Sequence, residues 1–198
     1  MRSADLAGCD DVTLLARAHG ADRAAFAELV RRHQQAALRV AAVISGSTEE
    51  AKDIVQDAFV EVHRHLGSYR GTGSVRSWML RIVANRAKNQ VRSRVRRLNR
   101  EDRHARLELR AAEGADLVAE RVIEQEALAT ALCRLGTADR EVLGCRFVAG
   151  LSEAETAEAL GTPLGTVKSR TSRALERLQR QLEPTMTVSG EKTDDRPR

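Results

Sequence analysis

The chain has 198 residues, 33 Lys and Arg against 28 Asp and Glu, and a hydrophobic fraction of 42% of which very little is aromatic. That length fits one or two small domains, and a core of Ala, Leu and Val with five aromatic rings argues for helix-on-helix packing and against an all-β fold. No apolar run approaches the roughly eighteen residues that cross a bilayer, and the start MRSADLAGCDD lacks the apolar stretch of a secretory leader, so a cytoplasmic location is expected.

In chain order, a short helix is expected over about 10–19. A second follows in which Phe26, Leu29, Val30, His33, Ala37, Val40 and Ile44 form one apolar stripe, with Asp22 as N-cap and Gly46 as stop. Ser47 and Glu50 have the spacing of a capping box, and Ile54, Val55, Ala58, Phe59, Val62 and Leu66 mark the buried face of a third helix. Gly67, Gly71 and Gly73 break it, and Ser74 can cap a long fourth helix from about Val75 to Leu98. Residues 1–98 thus read as one helical domain, and the polar stretch 99–118 as a flexible linker. A second domain is expected over 119–182. It comprises a helix through Leu135, one from Ala138 to Ala149 capped by Thr137, a short one at 153–160 capped by Ser152, and a last from Pro163 to Leu182 ended by Pro184. Residues 183–198 lack apolar periodicity and read as a disordered tail. The fold class is all-α: two small helical domains on a tether.

The charge is unevenly placed. Residues 1–63 carry seven basic and ten acidic side chains, whereas 64–110 carry fourteen basic and three acidic, a balance of +11. Positions 81–100 hold Arg81, Arg86, Lys88, Arg92, Arg94, Arg96, Arg97 and Arg100 with no acid, a pattern suited to a polyanion and equally to a solvated helix face or an acidic protein. Arg81, Asn85, Lys88, Asn89, Arg92 and Arg96 share one face of the fourth helix. Cations hold phosphates and Asn amides offer donor and acceptor to base edges, so this stripe suits an opened strand better than a plain basic tract. The glycine-containing loop Tyr69 to Arg76 could surround an unstacked base. Trp78 reads as a core residue packed with Ile82.

Leu151 to Leu182 follows the grammar of a helix-turn-helix. Ser152 and Glu155 start a short helix, Gly161 turns the chain, Thr162 and Pro163 open the next helix, and Lys168, Ser169, Arg170, Thr171 and Arg173 come early on it. Such residues at the start of a recognition helix meet base edges in the major groove, while a helical hairpin with a charged face is the alternative.

Enzymatic signatures are lacking: there is no GxxxxGK[ST], GxGxxG or HExxH, and His63 and His65, two apart on a helix, are poor co-ligands. Cys9, Cys133 and Cys145 are an odd number without CxxC spacing and read as small buried hydrophobes. No cofactor, metal or small-molecule substrate is implied.

The run EEAKDIVQDAFVEVHRHLGSYRGTGSVRSWMLRIVANRAKNQVRSRVRR, Glu49 to Arg97, with LSEAETAEALGTPLGTVKSRTSRALERL from Leu151, resembles bacterial RNA polymerase sigma factors of the extracytoplasmic-function group. The resemblance spans about residues 10–182 and implies a non-catalytic initiation factor whose partners are core RNA polymerase and promoter DNA. It assigns Asp53, Gln56 and Asp57 to polymerase contact, with Val55 and Phe59 partly in the core. It assigns the loop Arg70 to Ser77, with Arg70 and Arg76, and Asn85, Lys88 and Asn89 to the melted downstream element, to which the one-face stripe adds Arg81 and Arg92; it assigns Lys168, Ser169, Arg170, Thr171 and Arg173 to the upstream element as duplex. Family members are often held by an anti-sigma protein. Val75 stands where the family often has an aromatic residue, and Thr156 where an aliphatic one is usual. A stand-alone helix-turn-helix regulator binding DNA as a dimer would explain 151–182 but would leave the Arg/Asn stripe and Asp53–Phe59 without a task.

Overall fold

The computed structural model describes residues 6–71, 73–101 and 121–186, with side chains described over 6–71, 73–97 and 127–182. Among these, eight α-helices and no strands are found. Helices α1 (Asp11–His19), α2 (Arg23–Ser45), α3 (Thr48–Arg64) and α4 (Val75–Glu101) form the N-terminal domain. Helices α5 (Arg121–Arg134), α6 (Thr137–Leu143), α7 (Glu153–Leu160) and α8 (Leu164–Met186) form the C-terminal one. The assigned linker lies mostly outside the described residues, although α4 runs three residues into it; of the assigned tail, 187–198 also lie outside.

Local punctuation sets the N-terminal boundaries. Asp22 accepts from the amides of Ala24 and Ala25, and Gly46, at φ +77°, adopts the left-handed turn that ends α2 without a Cβ penalty. Ser74 Oγ accepts from the Ser77 amide at the start of α4. The capping box expected at α3 is only half formed. Ser47 Oγ accepts from the Glu50 amide, but the Glu50 carboxylate turns to Arg94 at 2.9 Å, because an ion pair across helices outcompetes one backbone N–H. Leu14, Leu29, Val40, Ile44, Val62, Leu80 and Val83 are fully buried at the centre. His33, on the apolar stripe of α2, is buried with Nε2 2.7 Å from the Asp11 carboxylate.

The C-terminal domain corrects the expected boundaries in four places. Gly136, not Thr137, caps α6, and it does so without a side chain. The helix expected to run to Ala149 widens at Gly144–Val148 into a π turn, in which the Ala149 amide donates to the Gly144 carbonyl at 2.8 Å. That turn buries Cys145 and Ala149 and leaves Phe147 exposed under the Arg146 guanidinium. Thr162 does not cap α8: its hydroxyl has no partner, and the Pro163 carbonyl accepts the amides of Thr166 and Val167. Pro184 does not end α8, which continues to Met186; proline there forfeits one amide bond but its φ is compatible with helix. By contrast, Ser152 and Glu155 form a reciprocal capping box, and this backbone bonding holds the Glu155 carboxyl below its usual range.

The cysteines divide. Cys145 is buried, which pushes its thiol up to about 12, whereas Cys133 is exposed and Cys9 half-exposed, correcting the expectation that all three are core residues. Cys133 lies on α5 where only its inner face is covered, and Cys9 sits before α1 rather than on an apolar stripe.

Thr156 is fully buried and its hydroxyl is unpartnered. Valine keeps the shape and removes the unsatisfied oxygen, so Thr156→Val is expected to stabilise the chain by about 1 kcal/mol in chemical denaturation. A destabilised variant would show that the hydroxyl contributes to the fold.

Candidate nucleic-acid and polymerase interface

Asp53, Gln56 and Asp57 are exposed on α3, while Val55 and Phe59 of the same segment are buried. The Asp57 carboxylate pairs with Arg86 of α4 at 2.8 Å, and Arg86 also lies 4.0 Å from Glu61. A cavity of about 320 Å³ between the two helices is lined by Asp53, Asp57, Arg86, Asn89 and Arg96. The acidic face assigned to polymerase and the Arg/Asn face assigned to DNA therefore meet along one groove.

On α4, Arg81, Asn85, Asn89, Arg92 and Arg96 are exposed, as one-face spacing requires. Arg86, Lys88 and Arg94 of the block pair with neighbouring elements. Arg94 bonds Glu50 and the Ser45 carbonyl, and Lys88 pairs with Glu141 of α6 at 3.5 Å. Arg86 and Arg94 sit off the stripe, and their use in binding neighbouring helices is set by acids distant in sequence.

The loop before α4 is held shut by Tyr69, whose hydroxyl donates to the Gly73 carbonyl at 2.8 Å and whose ring lies 5.8 Å from that of Trp78. Gly71 and Gly73 have φ of +73° and +72°, which few side-chain-bearing residues adopt. Arg70 is exposed, but Arg76 turns inward and donates to the Ala149 carbonyl of the C-terminal domain. Val75 is buried, so the position where the family often has an aromatic residue points into the core. Trp78 is half-buried against the core. His63 lies edge-on to Phe26, and His65 donates from Nδ1 to the Glu61 carbonyl.

In the C-terminal domain, Gly161 (φ +60°) makes the turn between α7 and α8, and Val167 and Ala174 bury the inner face of α8. Lys168, Ser169 and Arg173 are exposed; Arg170 and Thr171 are half-buried. Lys168 lies 3.7 Å from Glu153, Thr171 Oγ1 donates to the Val167 carbonyl, and Arg173 Nε donates to the Ser169 carbonyl. These are solvent-accessible contacts that a competing phosphate or base can displace at small cost.

The two domains share one continuous apolar core, and α4 packs against α7. Arg140 of α6 is buried and donates to the Ile44 carbonyl of α2 at 3.1 Å as well as to Cys133 and Leu135. Burial pushes its pKa down from the usual value. Sequence reasoning missed this residue, because its partner lies 96 positions away.

A helical domain with an exposed Arg/Asn helix is thus followed by a helix-turn-helix domain. The family model described as Sigma-70 region 2 matches residues 29–97, and that described as Sigma-70, region 4 matches residues 125–178. An ECF RNA polymerase sigma factor, SigM of Mycobacterium tuberculosis, is 39% identical over 87% of this chain and 84% of its own length. The RNA polymerase sigma-H factor of Pseudomonas aeruginosa is 33% identical over 88% and 94%. The chain belongs to the ECF RNA polymerase sigma factors. Among solved structures, CnrH in complex with the cytosolic domain of CnrY has a TM-score of 0.67 at 27% identity, covering 88% of this chain and 97% of that one. RpoE of Bartonella quintana, in complex with the anti-sigma factor NepR, has a TM-score of 0.66 at 26% identity, covering 80% and 96%. Among the described residues no helix is long and apolar enough to cross a membrane.

Proposed function

We propose that this sigma factor reads two promoter elements by two different chemistries. The upstream element is bound as duplex by α8, with Lys168, Ser169, Arg170, Thr171 and Arg173 at the major groove. The downstream element is bound as melted strand by the loop 70–77 and by Arg81, Asn85, Lys88, Asn89 and Arg92. Asp53, Gln56 and Asp57 face the polymerase, which performs all the chemistry.

The observation that carries this reading is the exposed Arg/Asn face of α4, which adjoins the acidic face of α3 along one groove. Amides with both donor and acceptor suit bases whose edges are free, and the flanking cations suit the phosphates between them. The helix-turn-helix supplies a second, sequence-distant DNA site. Two modest sites on one chain gain affinity through effective concentration, and binding falls steeply with salt. The adjoining acidic face also favours a sigma factor over a stand-alone regulator, which has no use for it. The relatives solved with CnrY and NepR support an anti-sigma protein as a further partner.

Arg170→Ala tests the duplex half. Loss of one base-reading side chain is expected to weaken binding to the upstream element by about tenfold and to relax preference at one or two positions. Unchanged preference across upstream-element variants would contradict the assignment.

A further inference from the structure

We propose that the cavity between the α1–α2 turn and the end of α3 is a binding site for a free nucleotide, a flat base carrying one or two phosphates. No residue of α4 or of the loop 70–77 lines it, so its occupant is a molecule separate from a strand held there.

The cavity has a volume of about 590 Å³, within the range that encloses small ligands. Its charge is one-sided. Arg23 opens α2 and Arg64 closes α3; both are exposed, and neither has a hydrogen-bond or ion-pair partner among the described residues. His19, His63 and His65 add three imidazoles to the lining. The carboxylate that lines it, Asp22, is already held by the Arg17 guanidinium at 2.7 Å and by the amides of Ala24 and Ala25. Two guanidinium groups therefore border a cavity with no acid left to neutralise them, and their forked N–H donors match a phosphate.

The rest of the lining suits a base and a ribose. Phe26 is half-buried, and His63 stands edge-on to it with ring centroids 4.9 Å apart and planes at 78°. With Ala18 and Leu66 these rings make an apolar wall on which a base can lie by its π face. The His19 ring packs on Gly67, where an added Cβ would come within 2.9 Å of its Cε1, so the glycine leaves room for the imidazole at the cavity edge. His65 donates from Nδ1 to the Glu61 carbonyl at 2.9 Å, which leaves Nε2 to accept from a ribose hydroxyl or a base amino group. The turn that bounds the cavity holds Ala21 at φ +66°, a left-handed conformation that is costly for a residue with a Cβ and that collects at binding sites.

Isothermal titration calorimetry of the full chain at low ionic strength tests this, with ADP and GDP as probes and adenosine and inorganic pyrophosphate as controls. At least one of the two nucleotides is expected to bind with a dissociation constant below about 1 mM, at least about tenfold tighter than adenosine or pyrophosphate. Arg23→Gln with Arg64→Gln is expected to weaken that binding by at least about tenfold, because two charge-assisted donors are removed from exposed positions at little cost to the fold. Arg81→Gln with Arg92→Gln, on the stripe of α4, is expected to change it by less than about twofold. No binding by either nucleotide, pyrophosphate binding as tightly as the nucleotides, undiminished affinity in the Arg23 and Arg64 variant, or an equal loss in both double variants overturns the proposal. A short DNA single strand of randomised sequence that binds more tightly than either nucleotide, and loses that affinity in the Arg23 and Arg64 variant, gives the cavity to the strand and overturns it as well.

Discussion

Replacing both Asn85 and Asn89 with alanine is expected to reduce promoter opening by about thirtyfold while leaving upstream duplex binding within about twofold. Each amide that pairs with a base edge contributes about 1 kcal/mol or more, and two such losses multiply. Both side chains are exposed on α4, so their removal costs the fold little, and a change in melting temperature is not expected. The discriminating measurement is a pair of assays on one promoter: permanganate reactivity of the opened region and gel retardation of the upstream duplex, each with polymerase holoenzyme. Equal losses in both would mean that α4 serves only as a general phosphate-binding surface. Lys88 is a useful contrast. Its ion pair with Glu141 is a contact with the C-terminal domain, so its replacement is expected to affect the fold as well as the strand.

What the sequence made legible was local. Asp22, Gly46, Ser152 and Gly161 act through hydrogen bonds or backbone angles within a few residues of themselves, and each ends or starts a helix where its chemistry demands. The one-face spacing of Arg81, Asn85, Asn89, Arg92 and Arg96 is likewise a property of the helix alone, and the structure leaves all five exposed. The caps at Thr137 and Thr162 and the stop at Pro184 were local misreadings, and the larger errors were non-local. Glu50 abandons its box for an arginine 44 positions away, and Arg140 is an unremarkable charge until the end of α2 is placed beside it. The π turn begins at Gly144, where Val43 and Ile44 of α2 lie against the glycine, a contact between residues about a hundred positions apart. The contact between the domains was illegible for the same reason: a linker's composition says nothing of the face on which two domains meet. For the candidate site, residue types and spacing pointed to nucleic acid, but the commitment of Arg76 and Lys88 to the C-terminal domain depends on acids and carbonyls more than fifty residues away.

The opening surplus of positive charge gains meaning from these pairings. Arg86 and Arg94 tie α4 to α3 and to the end of α2, and the stripe stays exposed beside them. A melted strand pays its own ordering entropy on binding, and a surface already in place adds less to that cost.

The central claim is that this chain confers promoter-specific initiation on a polymerase that lacks it. Run-off transcription with purified bacterial core RNA polymerase, on a library of promoter fragments, measures this directly. Core enzyme plus the chain is expected to yield discrete transcripts from a small subset of fragments, with neither component giving them alone. No stimulation on any fragment would contradict the account.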